Sequence, residues 1–99
     1  MVAYVIYHQT HVSDPEALKE KYRGPALASV AKYGGRQLAG PPDNYEVLEG
    51  AWEGNINVLE FPDMETLKRW YNSEEFRPLR AFRQSISEGN LIALEGVEN

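Results

Sequence analysis

The order of strand-like and helix-like patterns along this chain constrains its fold more than any single motif. Alternating apolar residues mark strands, and apolar residues that recur three or four positions apart mark helices. The expected elements are a strand at 2–9, a helix at 14–33, a strand region at 36–52, a strand at 55–61, a helical block at 64–88 and a strand at 91–97. The second half thus repeats the strand-helix-strand plan of the first, and the full order is β-α-β-β-α-β.

This split βαβ order predicts a ferredoxin-like α+β fold. Its four strands form an antiparallel sheet in the order 4-1-3-2, with both helices on one face. Ninety-nine residues suit a single domain, so we assign residues 1–99 to it. The opposite face of the sheet is then apolar and bare, which a monomer of this size is not expected to expose. We therefore expect a homodimer in which two sheets pack face to face about a two-fold axis.

Capping and breaking residues set the expected boundaries. Ser13 or Asp14 can cap the first helix, because either side chain can accept from the free N–H groups of its first turn. The Gly-Pro pair at 24–25 predicts a kink or break, and the glycines at 34–35 end the helix. In the second half, the expected features are a loop at 40–44, a strand at 45–52, a turn at 54–55, a helix cap at Asp63 and a helix end at 89–90.

Composition excludes several classes of protein. The net charge of -5, from ten basic and fifteen acidic residues, argues against general nucleic-acid binding, which needs a basic face. The chain has no cysteine, so disulfides and thiolate chemistry are ruled out. No apolar run approaches the roughly 20 residues of a membrane span, and the first residues do not resemble a secretory signal. We expect a cytoplasmic protein that binds neither nucleic acid nor membrane.

Five short motifs stand in a fixed order along the chain. They are Tyr33-Gly34-Gly35-Arg36, Val47-Leu48-Glu49-Gly50-Ala51-Trp52, Val58-Leu59-Glu60-Phe61-Pro62, Trp70-Tyr71-Asn72-Ser73 and Leu94-Glu95-Gly96. Together they resemble domain-of-unknown-function family 1330, and the resemblance spans nearly the whole chain. It implies a small dimeric α+β barrel of the ferredoxin-like type. It transfers no catalytic residue, because that family has no agreed activity.

The wider barrel superfamily includes cofactor-free monooxygenases, haem-degrading enzymes, muconolactone isomerases and stress-response proteins, so the fold alone does not give a function. This chain departs from many relatives in two places. Residues 55–57 lack the basic residue that opens the third strand, and the prolines at 41–42 replace an expected glycine-arginine run. We therefore expect no ligand anion to be held by a cation at the start of that strand.

The two histidines, His8 and His11, are the first candidates for chemistry. His8 shares a face of the first strand with Tyr4 and Ile6, where a neutral imidazole can act as a base or bind a ligand. The alternative is a strand-end histidine that bonds to a neighbour or to water. His11 lies in the strand-to-helix connection and is expected to be exposed. The pair lacks a clear third ligand, so no metal site is predicted.

Glu60 is the second catalytic candidate. Leu-Glu steps occur at Glu49, Glu60 and Glu95, and in each strand the leucine and the glutamate point to opposite faces. The third strand is central, so a carboxylate buried there must be paired or protonated. Arg36 or Arg83 can supply the pairing cation. A structural ion pair is therefore the alternative to acid–base work.

Aromatic side chains and one arginine are expected to border a cavity between the helices and the sheet. We predict a ligand-binding set of His8, Trp70, Tyr71 and Arg83, in which the planar guanidinium holds an acidic group. Two alternatives stay open. Aromatic residues at helical spacing are often plain core, and Arg83 can instead hold a strand carboxylate.

The predicted function is a homodimer that binds a small, partly apolar organic molecule in this cavity. Any catalysis is expected to be cofactor-free proton transfer or monooxygenase-type oxygenation, with His8 as base and Arg83 or Tyr71 orienting the substrate. No cofactor is predicted. A non-catalytic interaction or stress-response module is the second hypothesis. Haem binding is a third, and it needs an axial histidine facing a wide pocket.

Overall fold

Strands and helices follow one another in the predicted order. The computed structural model describes residues 1–41 and 44–98. The elements are β1 (Ala3–Val12), α1 (Pro15–Leu18), a π-helical turn (Lys19–Arg23), α2 (Gly24–Lys32), β2 (Arg36–Ala39), β3 (Asn55–Phe61), α3 (Met64–Tyr71), α4 (Arg77–Ile86) and β4 (Ser87–Glu95). The strands form one antiparallel sheet in the order β2-β3-β1-β4, which confirms the ferredoxin-like α+β fold. Over these residues, no helix has the length and apolarity needed to cross a bilayer.

The core lies between one face of the sheet, here called the inner face, and the helices. Alternation along β1 and β3 directs every second residue inward, because side chains of a strand point to opposite faces in turn. The buried cluster consists of Ala3, Val5, Ala26, Val30, Leu59, Phe61, Leu67, Trp70 and Phe76. In the ladder, Ala3 pairs with Phe61 and Val5 with Leu59, so the two central strands supply the floor of the core.

Trp70 occupies the centre of this cluster. Its ring centroid lies 4.1 Å from that of Phe76 and 5.1 Å from that of Phe61. Its indole N–H donates to Ser29 Oγ at 2.9 Å, and that hydroxyl donates in turn to the carbonyl oxygen of Ala26 at 2.6 Å. The polar edge of a buried tryptophan is therefore satisfied by the neighbouring helix.

The first helical segment begins and ends as its capping residues predict. Asp14 is the cap, because its Oδ1 accepts from the Ala17 N–H at 3.1 Å, whereas Ser13 Oγ donates to the Ile86 carbonyl. The interruption predicted at 24–25 takes the form of the π-helical turn that precedes the Gly-Pro pair. Pro25 has no N–H to donate to the preceding turn, and a widened turn accommodates it without a break.

The end of α2 is a glycine-based Schellman motif. Gly34 has a φ of 76°, which L-residues with a Cβ rarely adopt. The Gly34 N–H donates to the Ala31 carbonyl at 3.0 Å, and the Gly35 N–H donates to the Val30 carbonyl at 2.9 Å. These bonds satisfy the last turn of α2 and direct the chain into β2.

Three predicted boundaries are wrong, and the first of them is the end of β1, which lies at Val12 rather than at position 9. Residues 45–52 form no strand but an exposed irregular segment, in which Gly50 has a left-handed φ of 79° that interrupts extended pairing. The last helix ends at Ile86 rather than near 89–90, because β1 continues to Val12 and pairs with residues that would otherwise continue the helix. The loop predicted at 40–44 includes positions 42 and 43, which lie outside the described residues.

The other face of the sheet, here called the outer face, carries no helix. Its side chains alternate with the buried ones, and its members are Val2, Tyr4, Ile6, His8, Ile56, Val58, Glu60, Ile92 and Leu94. Val2, Ile92 and Leu94 are 39%, 54% and 51% exposed, which is high for apolar side chains on one face of a sheet. As the strand order predicts, this face exposes apolar side chains without a covering helix, although Trp52 stacks on His8 at one end of it.

Candidate ligand-binding site

A cavity of about 340 Å³ lies between the inner face of the sheet and the segment from α1 to α2. The residues that line it include Val5, Leu18, Ala26, Leu27, Val30, Leu59, Trp70 and Leu91 as apolar walls and Tyr7, Gln9, His11, Tyr22, Arg23, Gln37, Asn57 and Arg83 as polar ones. Exposed Thr10, His11 and Pro15 form its solvent-facing rim. This volume falls at the lower end of the roughly 300–1,000 Å³ that small-molecule sites occupy.

The sheet itself makes the cavity apolar at one end and polar at the other. Along β1 the inward positions change from Ala3 and Val5 to Tyr7 and Gln9. On β3 the partner of Tyr7 is Asn57, whose Oδ1 accepts from Gln37 Nε2 at 3.1 Å. The polar end is thus built from side chains on rigid strands, which hold their positions better than loop residues do.

Arg83 is the one buried cation in the part of the chain that the structure describes, with 4% of its surface exposed. Helix α4 directs it towards β1, and its guanidinium carbon lies 4.7 Å from the Tyr7 ring centroid and 5.8 Å from that of Tyr22. Its Nη1 donates to Tyr22 Oη at 3.1 Å. Its Nε is buried and has no acceptor among residues 1–41 and 44–98.

No described carboxylate neutralises Arg83. The ion pairs found within the described ranges join Lys32 to Glu75 and Arg36 to Glu60. Removing a charge from water costs several kcal/mol even after the protein relaxes, and a cation–π contact returns about 0.5–2 kcal/mol. Tyr7 and Tyr22 therefore offset part of this cost, and the guanidinium keeps the capacity to bind an anion.

Tyr22 shares the polar end of the cavity with Arg83. Burial raises the pKa of Tyr22, and the neighbouring Arg83 cation opposes the rise through its charge and its hydrogen bond. The phenol is therefore protonated at neutral pH. Its oxygen accepts from Arg83, while its own proton has no acceptor among the described side chains and backbone, so it can donate to a ligand.

Trp70 and Arg83 both lie where the sequence places them, on the cavity wall. Tyr71 does not line this cavity. It borders a second opening that Arg83 and Ser87 also line, and Arg80 stacks 4.3 Å above its ring centroid. Of the four predicted ligand-binding side chains, the structure thus brings two to the cavity and one to a neighbouring opening.

His8 is the exception, and its grouping with Trp70 and Arg83 is wrong. Strand alternation places it on the outer face, opposite to the inward Tyr7. Its Nε2 donates to the Glu53 carbonyl at 2.7 Å, and its ring stacks on Trp52 with 4.2 Å between centroids. His8 therefore serves as an anchor for the segment that precedes β3 and cannot act as a base in the cavity.

Glu60 also lies on the outer face, away from the cavity. Its Oε1 accepts from Arg36 Nε at 3.1 Å, and the two residues are direct cross-strand partners of β3 and β2. The cation that pairs with Glu60 is thus Arg36 and not Arg83. This geometry is that of a structural ion pair.

The remaining histidine, His11, is exposed at the rim of the cavity. Neither histidine therefore faces the interior of the cavity as an axial haem ligand would. Across residues 1–41 and 44–98, no three His, Asp or Glu side chains converge as ligands for a metal ion.

Sequence reasoning missed Tyr7, Gln9 and Tyr22 as site residues. The sequence does contain a signal for Tyr7 and Gln9. These two residues interrupt the apolar run of alternate positions that begins with Ala3 and Val5. Tyr22 recurs at a spacing of four with Leu18, Ala26 and Val30 in the first helical segment, so the pattern does not distinguish it from a core residue. Only the approach of α4 in three dimensions shows that its hydroxyl meets Arg83.

Comparison with solved structures supports the fold. RPA0582, a protein of unknown function from Rhodopseudomonas palustris, is similar at a TM-score of 0.73 and 13% identity over 99% of this chain and 84% of that one. An antibiotic biosynthesis monooxygenase is similar at a TM-score of 0.60 and 16% identity over 99% of this chain and 100% of that one. A variant of SnoaB, a cofactor-independent oxygenase from Streptomyces nogalater, is similar at a TM-score of 0.54 and 13% identity over 99% of this chain and 94% of that one.

At these identities the structural similarity establishes the fold alone. None of the curated proteins compared with this sequence matches it. The sequence model of the family described as "Domain of unknown function (DUF1330)" matches residues 2–97. The match covers nearly the whole chain, and the chain therefore belongs to the DUF1330 family.

Proposed function

We propose that the protein binds a small, partly apolar organic molecule in the cavity between the inner face and α2. The cavity itself is the observation that carries this proposal. It combines apolar walls with a few convergent polar groups on rigid strands and helices, which is the usual composition of a small-molecule site. A purely structural or interaction module has no need for such a space.

Cofactor-free chemistry on the bound molecule, either proton transfer or oxygenation, is the catalytic form of this proposal. Two structural relatives, the antibiotic biosynthesis monooxygenase and the cofactor-independent oxygenase, favour it. Arg83 and Tyr22 support it as well, because preorganised donors stabilise negative charge that develops on a substrate when it loses a proton. With His8 on the outer face, the histidine at the cavity rim is His11.

We also propose that two copies pack their outer faces together about a two-fold axis in the cytoplasm. The exposed Ile92 and Leu94 lie in the second half of β4, and Val2, which is also exposed, precedes β1 on the same face. An exposed apolar face of this kind marks an interaction surface, and self-pairing covers it in both copies at once.

A thermal-shift screen with aromatic acids, quinols and lactones tests the ligand proposal. Binding at a hundredfold excess over Kd stabilises the folded state by about 2.7 kcal/mol, which corresponds to about 10–20 °C in Tm for a domain of this size. We expect at least one compound class to reach this range.

Leu27→Trp is the matched variant for that screen, because Leu27 is half-buried on the cavity wall and the larger ring fills the space. It should abolish the ligand-induced shift. Ala28→Trp on the exposed side of the same helix should leave the shift intact. If no compound stabilises the wild-type protein, or if Leu27→Trp responds as the wild type does, the cavity is not the binding site.

A further inference from the structure

We infer that the molecule held in the cavity is a carboxylic acid, bound as its carboxylate by Arg83 with Tyr22 as a second donor. This inference rests on the proposed function and narrows it from any organic molecule to one with a negative charge. It follows from the hydrogen bonds that these two side chains lack, from the charge of the cavity wall and from the shape of the guanidinium.

The guanidinium of Arg83 makes a hydrogen bond through Nη1, whereas the edge formed by Nε and Nη2 has no hydrogen-bond partner among the described residues. The Nη1 N–H donates to Tyr22 Oη at 3.1 Å. Nε and Nη2 form the side edge of the guanidinium, and their two parallel N–H groups match the two oxygens of a carboxylate. A neutral carbonyl oxygen can satisfy only one of them well.

The cavity wall is cationic in an otherwise acidic protein. Arg23 and Arg83 both line it, and none of the described lining residues is Asp or Glu. The whole chain carries fifteen acidic residues against ten basic ones, so this is a local reversal of the overall charge. A wall of this kind attracts anions and disfavours cationic ligands.

The apolar part of the cavity limits what can be attached to the carboxylate. Val5, Leu59 and Trp70 are among the apolar residues that line the cavity, whereas the strands contribute polar groups from Gln9, Gln37 and Asn57. The ligand class is therefore an acid with a partly apolar body, such as an aromatic or unsaturated acid.

Matched pairs of acid and amide test this directly, because each pair has the same shape and differs in charge. Calorimetry at neutral pH would compare benzoate, cinnamate and 2-naphthoate with benzamide, cinnamamide and 2-naphthamide on the intact protein. We expect the wild type to bind at least one acid 10-fold or more tightly than its amide. Arg83→Met should remove that preference, and Arg83→Lys should retain part of it. Arg77→Met, an exposed arginine on the same helix, should leave it unchanged.

Tyr22→Phe provides a second variant if Arg83→Met does not fold, and it should weaken the acid severalfold without altering the binding of the amide. Equal affinity for acid and amide in the wild type, a preference that survives in Arg83→Met, or an acid affinity that Tyr22→Phe leaves unchanged overturns the inference while the proposed cavity site stands. If none of the six compounds binds while the thermal-shift screen finds a ligand of another class, the inference fails and the proposed function stands; if neither assay finds a ligand, both fail.

Discussion

Trp70→Ala is expected to lower the free energy of unfolding by about 3–5 kcal/mol. Trp70 is 2% exposed and packs between Phe61 and Phe76, so truncation leaves a void that the surrounding rings cannot fill. The loss also removes the donor to Ser29 Oγ. The free energy of unfolding of native proteins is only about 5–15 kcal/mol. The variant should therefore be barely stable enough to fold.

Urea denaturation at fixed protein concentration measures this loss, and two other variants separate its causes. Trp70→Phe keeps an aromatic ring but not the indole N–H, so it should cost less than the alanine change. Trp52→Ala removes the same side chain from an exposed position where it stacks on His8, and it should cost about 1 kcal/mol or less. Equal losses for Trp70→Ala and Trp52→Ala would show that the core is not centred on Trp70.

Ile92→Glu is expected to convert the proposed homodimer into a monomer. Ile92 is 54% exposed at the middle of β4 and pairs across the ladder with Ile6. In a two-fold interface the substitution buries two carboxylates at once, and an unpaired buried charge costs several kcal/mol. Since about 1.4 kcal/mol is a factor of ten, we expect dimerisation to weaken by more than about 1,000-fold.

Sedimentation velocity at micromolar concentration measures this change. Ala81→Glu introduces the same charge on an exposed position of α4, on the helical side of the domain, and should leave the dimer intact. A wild-type protein that sediments as an 11.2 kDa monomer would contradict the proposed assembly, and so would an Ile92→Glu variant that remains dimeric.

Local signals in the sequence were sufficient for most of the fold. The bounds of β3 follow from the turn glycine before it and from Pro62 after it, and the cap at Asp63 is confirmed by its bond from the Thr66 N–H at 2.7 Å. These features depend on neighbours in the sequence. The start of β4 does not, because it depends on how far β1 extends on the adjacent strand. Sequence patterns alone could not fix that boundary.

The candidate site was only half predictable for a related reason. Trp70 and Arg83 were recognised as chemically suitable, but β1 alternation excludes His8 from the same face. Both faces of β1 are largely apolar in the sequence, and it is the burial of Ala3 and Val5 in the core that places His8 on the opposite face. Tyr22 entered the site because α4 packs against the π-helical turn, which is a tertiary contact with no sequence signature.

Methyl-detected NMR with the acid that gives the largest thermal shift locates the ligand most directly. If the molecule binds in the cavity between sheet and helices, the methyl signals of Val5, Leu27 and Leu59 will shift on titration and show contacts to it. The signals of Ile92 and Leu94 on the outer face will not change. Shifts confined to Ile92 and Leu94, with the cavity methyls unaffected, would contradict a binding site in the cavity.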